Sequence, residues 1–398
     1  MNLNTFKFWA DSLRRFVRRQ VHKGMRDSEG TINTEHNLEG RFCRNPFVQL
    51  DVYEDGRLYS CCSSWLPTPI GNLKSGSVVD SWNSNASQKI RESIFDGSFR
   101  YCHQKVCPMI QQDNLPTIEE ARKDPFLRDI IDKRQTRLEV LPTFVNLCND
   151  ASCNLFCPSC RTQRINYPNG KEYEKRQHLQ DKITQELFSR PTDHPFTVNV
   201  TGSGDPFASA VFRDFLYKLE GKDFPNMRIN LQTNGVLLTP RNWQRMEKIH
   251  DNIATILVSF DAALPETYAI TRRGGNWDLL QENVKRLGEL RARGELGLLR
   301  LDFVVQRANY REMPAFVELG KALGADQVSF SMVLDWGTWS IAEYEKQCIW
   351  KEDHPQFTDF IRVLEDPILD DPMVVLGNIT EYRAMARQQV AERERKAG

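Results

Sequence analysis

A group of three cysteines, Cys153, Cys157 and Cys160, lies within eight residues of the sequence. Three thiolates at this spacing can hold three irons of a four-iron, four-sulfur cluster and leave the fourth iron open to a small molecule. An open iron indicates catalysis rather than electron storage. Zinc is the alternative, because zinc also binds thiolates in tetrahedral sets, which Cys148 or a distant residue could complete.

A second group of five cysteines lies nearer the N-terminus and could supply a second metal site. Its members are Cys43, Cys61, Cys62, Cys102 and Cys107. Cys61 and Cys62 are adjacent, and successive side chains on a strand point to opposite faces, so we expect only one of them to bind. Four thiolates suit an iron–sulfur cluster or zinc. We predict that the other two cysteines, Cys148 and Cys348, are ordinary buried or half-buried thiols.

The sequence around these cysteines predicts an α/β fold. Six apolar strand candidates recur, with amphipathic helical segments between them. The candidates span residues 143–148, 196–201, 228–233, 253–259, 299–306 and 327–334. Spacings of roughly 25 to 55 residues suit right-handed crossovers in a parallel sheet, so a doubly wound sheet and a barrel-like (β/α)6 arrangement are both open.

Polar or metal-binding residues end or follow each of these strands, which is where parallel α/β folds carry their chemistry. The three-cysteine loop follows the first strand, and this position favours a cluster over zinc. The residues at the next four strands include Ser203, Gly204, Asp205, Pro206, Thr233, Asn234, Ser259, Asp261 and Asn309. We therefore expect one cofactor site, built from separate elements at one rim of the sheet.

Composition excludes several classes of protein. The 398 residues include 53 basic and 53 acidic side chains, so nothing in the net charge attracts nucleic acid. No run of 18 apolar residues occurs, which argues against a transmembrane enzyme. The N-terminus lacks the apolar core of a secretion signal, so we expect a cytoplasmic protein whose thiols stay reduced.

The chain divides into five predicted segments. They are a basic amphipathic N-terminal arm (1–40), a small cysteine-rich domain (41–115), a helical linker (116–140), the α/β core (141–335) and a helical extension (336–398). Within the cysteine-rich domain, Asp55 and Gly56 predict the turn of a β-hairpin. The arm carries Phe6, Trp9 and Leu13 at helical spacing, so it could dock a partner or a membrane surface, or pack on its own protein.

The three-cysteine loop and the strands around it resemble the radical S-adenosylmethionine (SAM) superfamily over about residues 141–335. The resemblance implies a partial (β/α)6 barrel similar to a TIM barrel. It also implies that Cys153, Cys157 and Cys160 hold a 4Fe-4S cluster whose open iron binds SAM. Reduction of such a cluster cleaves SAM to methionine and a 5′-deoxyadenosyl radical, which abstracts hydrogen from a substrate.

The same resemblance implies a set of SAM contacts. The segment from Ser203 to Pro206 looks like the family's Gly-Gly-Glu-Pro segment, in which Asp205 would accept a hydrogen bond from the methionine amino group. The other implied contacts are Ser259 and Asp261 to the ribose and Arg272 or Arg273 to the carboxylate, with Thr233, Asn234 and Asn309 as further candidates.

Some of these residues also have an ordinary structural interpretation, and one position departs from the family pattern. Asp205 and Pro206 would also suit the start of a helix, and Ser259 the end of a strand. Ser159 stands where the family commonly has an aromatic residue before its third cysteine. The cover over the adenine must therefore differ from the usual one.

The second cysteine group resembles the auxiliary-cluster domain called SPASM, or twitch in its shorter form. The segments that carry the resemblance are Cys43, DGRLYSCC, IGNLKSGSVVDSWNS and CHQKVC. It implies a second 4Fe-4S cluster and favours Cys61, five residues after Gly56, as the ligand over Cys62. In relatives this domain usually follows the barrel, whereas here it precedes it.

These resemblances imply a radical SAM enzyme that abstracts hydrogen from a peptide or protein side chain, as in crosslinking, epimerisation or oxidation. A dehydrogenase or epimerase of a sugar, an aminocyclitol or another small molecule is the alternative. A third possibility is a non-catalytic binding protein stabilised by zinc. As an enzyme, the chain would need an electron donor such as flavodoxin or ferredoxin.

Overall fold

The computed structural model describes residues 37–201 and 203–397. Contacts divide the chain into two compact units, which we treat separately. Among the described residues, unit 1 contains 37–150 together with 169–199, and unit 2 contains 151–168 together with 200, 201 and 203–397. The helix predicted around Phe6, Trp9 and Leu13 lies outside the described residues. Of the helices that are described, none is both long enough and apolar enough to cross a membrane.

Unit 1 contains the predicted β-hairpin. Strands β1 (Gln49–Tyr53) and β2 (Arg57–Tyr59) are antiparallel, and β3 (Gly71–Asn72) adds a further antiparallel strand. Gly56 lies in the turn with φ at 81°, a conformation that glycine adopts without steric cost. Strand β1 begins at Gln49 because a helical turn, α1 (Asn45–Val48), with Pro46 near its start, precedes it.

The sheet of unit 1 also contains β4 (Phe144–Cys148) and β5 (Phe196–Val200). The last residue of β5, Val200, belongs to unit 2. Its strand order is β5-β4-β1-β2-β3, and β1 runs parallel to β4. One face of these strands is apolar and fully buried, with Leu50, Val52 and Leu147 at 0% exposure. Polar side chains such as Asp51 therefore lie on the other face.

The helices of unit 1 are mostly short. They are α2 (Val78–Trp82), α3 (Asn85–Phe95), α4 (Pro108–Gln111), α5 (Ile118–Ala121), α6 (Pro125–Asp132) and α7 (Gly170–Leu187). The predicted helical linker contains two helices, α5 and α6. Thr117 and Glu120 form a capping box at the start of α5, and the Asp124 side chain caps α6 just before Pro125.

Unit 2 is built on five parallel strands. They are β6 (Met227–Thr233), β7 (Ile253–Ser259), β8 (Leu298–Val305), β9 (Gln327–Met332) and β10 (Val374–Val375), in that order across the sheet. The register places Ser259 opposite Asp302 and Asp302 opposite Ser329. The short β10 was not predicted, since it lies in a tail whose sequence looks helical.

The helices of unit 2 are α8 (Ala210–Lys218), α9 (Pro240–Gln244), α10 (Pro265–Thr271), α11 (Trp277–Ala292), α12 (Met313–Ala322), α13 (Ile341–Glu345), α14 (Phe357–Val363) and α15 (Thr380–Ala397). Helix α12 packs on the apolar face of the sheet. The Phe316 ring lies 4.7 Å from that of Phe303, which in turn lies 5.4 Å from that of Phe330, measured between centroids. The six predicted strands are all present as β4–β9, with at least one helix between each strand and the next. The predicted α/β class is confirmed.

Candidate active site

The three-cysteine loop lies in unit 2 and is held by backbone hydrogen bonds at Cys153 and at Phe156. The Cys153 amide donates to the Ile165 carbonyl at 2.7 Å, and the Phe156 amide donates to the Arg273 carbonyl at 3.0 Å. Cys153 and Cys157 are buried, whereas Cys160 is exposed. The loop thus presents one of its three thiols to solvent.

Each of the three thiols lies beside a nitrogen donor from another residue of unit 2. The pairs, by nitrogen–sulfur distance, are Asn234 with Cys153 at 3.8 Å, Arg272 with Cys157 at 3.8 Å and Arg161 with Cys160 at 3.5 Å. Two of these donors are guanidinium groups, which stabilise negative charge on sulfur. The surroundings therefore suit thiolates bound to a metal centre.

Burial governs the protonation of the two inner thiols when no metal is bound. It raises the pKa of Cys153 to about 11; the negative charge of Asp205 adds to this shift, and the positive charge of Arg161 opposes it. Burial also raises the pKa of Cys157, and Arg272 opposes that shift. A metal centre must displace these protons on binding, so the free energy of loading should be more favourable at higher pH.

Asp205 is a fully buried carboxylate that connects two segments of the site. One oxygen accepts from the backbone amides of Phe207 and Ala208 at 2.9 and 3.2 Å. The other accepts from the Thr233 hydroxyl and the Asn234 backbone amide, both at 2.8 Å. Four donors occupy the four principal acceptor positions of a carboxylate. Asp205 therefore holds Asn234 in place next to the cysteine loop.

Two residues at the ends of strands have left-handed backbone conformations. Thr201, after β5, has φ at 68°, and Asp261, after β7, has φ at 58°. This region is costly for residues other than glycine, and particularly for β-branched threonine. The Thr201 hydroxyl donates to the Gly204 carbonyl at 3.1 Å. Such conformations concentrate at functional sites.

Of the two adjacent candidate arginines, Arg272 is the one whose guanidinium approaches a cysteine sulfur. Its guanidinium pairs with Asp261 at 2.8 Å as well as approaching Cys157. Burial disfavours its charge, but Asp261 and Cys157 outweigh that and raise its pKa. The Arg272 Nε atom is buried without a hydrogen-bond partner among the described residues. Arg273 instead lies over the Phe156 ring at 5.7 Å.

The other predicted contacts lie around this group. Ser259 ends β7 opposite Asp302, and the Ser203 carbonyl accepts from Arg161 at 2.6 Å. The Asn309 amide donates to the carbonyls of Asp261 and Val304 at 3.0 and 2.9 Å. Asn309 is therefore a structural partner of the strand end that carries Asp261.

Sequence reasoning missed two residues of this site. Arg161 holds the loop by donating to the Ala151 and Ser203 carbonyls, and its place directly after Cys160 was a signal that could have found it. Tyr268 is 1% exposed, and its hydroxyl has no hydrogen-bond partner among the residues that the structure describes. Nothing in the sequence distinguishes that tyrosine from an ordinary core residue.

Unit 1 contains a second thiol site. A cavity there is lined by four cysteines and by apolar side chains; the four are Cys43, Cys61, Cys102 and Cys107. The Asn45 amide donates to the Cys61 sulfur at 3.4 Å. Cys62 is not among the lining residues and hydrogen-bonds with Tyr53 and Ser64 instead. The structure therefore brings together the predicted set with Cys61 and without Cys62.

High pKa values keep the Cys43 and Cys102 thiols of this cavity neutral when no metal is bound. Burial raises the pKa of Cys43 to about 12 and that of Cys102 well above its usual value, and the neighbouring thiols raise both further. In the described part of the chain, no three Cys, His, Asp or Glu side chains approach as closely as ligands of a single metal ion do. Four thiols around an apolar cavity are nevertheless the donor set of an iron–sulfur cluster.

Comparisons with known proteins agree with both sites. Residues 151–300 match the family model of the radical SAM superfamily, and residues 43–108 match that of an iron–sulfur cluster-binding domain, SPASM. These two ranges contain the three-cysteine loop and the four-cysteine cavity, respectively. No curated protein matches the chain.

Solved structures also resemble the chain. SuiB of Streptococcus suis bound to S-adenosylmethionine is 16% identical over 61% of this chain and 49% of its own, with a TM-score of 0.36. SuiB bound to its precursor peptide SuiA is 14% identical over 70% and 59%, with a TM-score of 0.37. TYW1 with a lysine-pyruvate adduct is 16% identical over 55% and 70%, with a TM-score of 0.35. The chain thus spans about half the length of SuiB.

Proposed function

We propose that this chain, a radical SAM enzyme whose SPASM domain precedes its radical SAM domain, abstracts a hydrogen atom from a peptide or protein side chain. Its core is a partial (β/α)6 barrel similar to a TIM barrel, and its cofactors are SAM and 4Fe-4S clusters. One observation carries the proposal: Asn234, directly after β6, and Arg272, which pairs with Asp261 beyond β7, both approach sulfur atoms of the three-cysteine loop in unit 2.

Cys153, Cys157 and Cys160 would hold the cluster that binds SAM. When bound and reduced, this cluster supplies the electron that splits SAM into methionine and the 5′-deoxyadenosyl radical. The chain's own part is to hold the loop and balance its charge, through Arg161 and Arg272. Because both guanidinium groups lie beside thiols, they favour the electron-rich thiolate state.

Unit 2 also offers groups that would hold SAM. The Nε atom of Arg272, which is buried and has no partner among the described residues, would donate a hydrogen bond to the SAM carboxylate. The segment from Ser203 to Pro206 and the side chain of Asn234 would line the methionine end, whereas Ser259 and Asp261 would face the ribose. Asp205 would act mainly by positioning Asn234, since protein donors occupy its oxygens.

Arg272 and Arg273 form a matched pair for testing the carboxylate contact. We expect Arg272→Met to weaken SAM binding about tenfold or more, because a charge-assisted hydrogen bond from its Nε atom is lost. Arg273→Met should change it little, since Arg273 faces Phe156. The measurement is equilibrium dialysis of SAM against cluster-loaded protein, with iron content as the check on folding. Equal affinities in the two variants would contradict this assignment.

The peptide substrate is proposed because relatives with auxiliary-cluster domains often modify peptides or proteins. A sugar, an aminocyclitol or another small molecule is the competing class, since relatives use the same auxiliary domain on those compounds. Flavodoxin or ferredoxin would supply the electron. Cys43, Cys61, Cys102 and Cys107 would hold the second cluster inside the proposed SPASM domain, at residues 41–115.

The test of the proposed function is substrate-dependent SAM cleavage. Cluster-loaded, reduced protein would be incubated with SAM and either short peptides encoded beside its gene or a panel of sugars and aminocyclitols. We expect a peptide to raise 5′-deoxyadenosine formation and to change mass. A mass change confined to a sugar or an aminocyclitol would select the competing class. Absence of 5′-deoxyadenosine in every sample would overturn the enzyme assignment.

A further inference from the structure

The sheet of unit 2 has one face that is polar and partly open. On the other face, Leu299, Leu301 and Phe303 of β8 are 0% exposed and packed under helices. Parallel sheets are usually covered on both faces and apolar throughout. Here alternate residues of β6 to β9 are half-exposed or exposed, and most are polar; they include Gln232, Ser259, Arg300, Asp302, Gln327, Ser329 and Ser331. Such a face suits contact with a polar ligand.

A charged pair lies near the middle of this face. Arg300 and Asp302 are two residues apart on β8, so their side chains point the same way. The guanidinium donates to both carboxylate oxygens, at 2.7 and 3.1 Å. The Arg300 side chain remains 33% exposed and that of Asp302 17%. The guanidinium is therefore both oriented and accessible.

The pair adjoins the candidate active site. Asp302 lies opposite Ser259 in the register, and its carbonyl accepts from the Phe260 amide at 2.9 Å. Asp302 is close enough to Arg272 and Asp261 for their charges to interact. A group bound by Arg300 would thus lie next to the residues proposed to hold SAM.

A purely structural role explains this pair poorly. A partly exposed ion pair contributes little to stability. Nor do the register partners on the neighbouring strands carry a charge that would require an ion pair here. Arg300 lies between Leu257 and Gln327, and Asp302 lies between Ser259 and Ser329. An arginine held by one carboxylate can exchange it for another of the same geometry, because both make the same two-bond contact.

We infer that Arg300 is a specificity-determining residue that binds a carboxylate of the substrate on this sheet face. The inference rests on the proposed function, because it places the substrate beside the SAM site. Asp302 orients the guanidinium in the empty site and can accept a hydrogen bond from a substrate donor once the exchange has occurred. The carboxylate could belong to an acidic side chain of a peptide or to a small organic acid.

The experiment measures binding rather than turnover, with cluster-loaded full-length protein. One probe is a fluorescein-labelled pool of end-capped pentapeptides with Asp or Glu at the centre, and its matched pool has Asn or Gln there. The other probe is succinate, observed by saturation-transfer NMR. Arg300→Met removes the charge, whereas Arg300→Lys keeps it without the two-bond geometry. Arg228→Met is the control. Arg228 is exposed near the start of β6, and because it lies four residues before Gln232, its side chain points to the same face of the sheet.

We expect wild-type protein to bind the acidic pool about tenfold more tightly than the amide pool, or to bind succinate, with the preference lost in Arg300→Met. Arg300→Lys should retain part of it, and Arg228→Met all of it. Binding confined to succinate would identify a small acid as the source of the carboxylate. Equal affinity for the two pools together with no Arg300-dependent succinate signal would overturn the inference. Binding of the labelled peptides is measured by fluorescence anisotropy and binding of succinate by NMR. Neither needs SAM cleavage, so failure of this inference can be distinguished from failure of the proposed function.

Discussion

Replacing Cys153, Cys157 and Cys160 together by alanine should abolish reductive cleavage of SAM. The three thiols are the only cysteines of the loop, and a four-iron cluster with an open iron cannot assemble without them. The measurement is 5′-deoxyadenosine formed from SAM under strong reductant in the absence of air, quantified by chromatography. We expect at least a hundredfold loss, down to the background of the assay.

The matched control for this experiment is Cys348→Ala. Cys348 belongs to the same unit but is a buried thiol that donates to the Tyr344 carbonyl at 3.3 Å, in the C-terminal part of the chain. That variant should keep wild-type cleavage and iron content. If the triple variant formed 5′-deoxyadenosine at the wild-type rate, the assignment of the three-cysteine loop would fail.

The sequence was sufficient to predict the elements and the type of chemistry. The strands could be predicted because β4 to β9 are short segments rich in apolar residues, several of which alternate with polar ones, and helical segments separate them. The cysteines could be predicted because metal binding by a single loop depends on local spacing. Both signals are confined to short stretches of chain.

The hydrogen bonds between those elements could not be predicted. Arg272 and Arg273 are adjacent and chemically identical, and only the path of the chain after α10 decides that Arg272 meets Asp261 while Arg273 meets Phe156. Likewise, Asp205 looked like an open acceptor. Its neighbours Thr233 and Asn234, 28 and 29 residues away in sequence, occupy one of its oxygens in the folded chain.

The choice between Cys61 and Cys62 shows the same division. The alternation of side chains along a strand predicted that only one of them could serve. Both lie beyond β2, which ends at Tyr59, and Cys61 is the one that lines the cavity. Which of the two faced the cavity depended on packing that brings Cys43, Cys102 and Cys107 to it. No local pattern carries that information, so the resemblance to SPASM was needed to favour Cys61.

The second large effect concerns this cavity. Replacing Cys43, Cys61, Cys102 and Cys107 together by alanine should lower the iron content from about eight to about four per chain, because one of two four-iron clusters is lost. Iron analysis with Mössbauer spectroscopy on anaerobically purified protein gives the measurement. SAM cleavage should survive in part, since Cys153, Cys157 and Cys160 belong to the other unit.

Cys62→Ala provides the matched control for the quadruple variant, because Cys62 is adjacent to a proposed ligand but hydrogen-bonds with Tyr53 and Ser64. It should retain all of the iron, whereas Cys61→Ala should not. A zinc site would give the opposite pattern, in which the quadruple variant loses zinc and keeps its full iron. Unchanged iron would therefore refute the second cluster. The cavity gives a reason to expect the loss: burial raises the pKa of Cys43 and Cys102, so these two thiols stay neutral unless a metal centre replaces their protons.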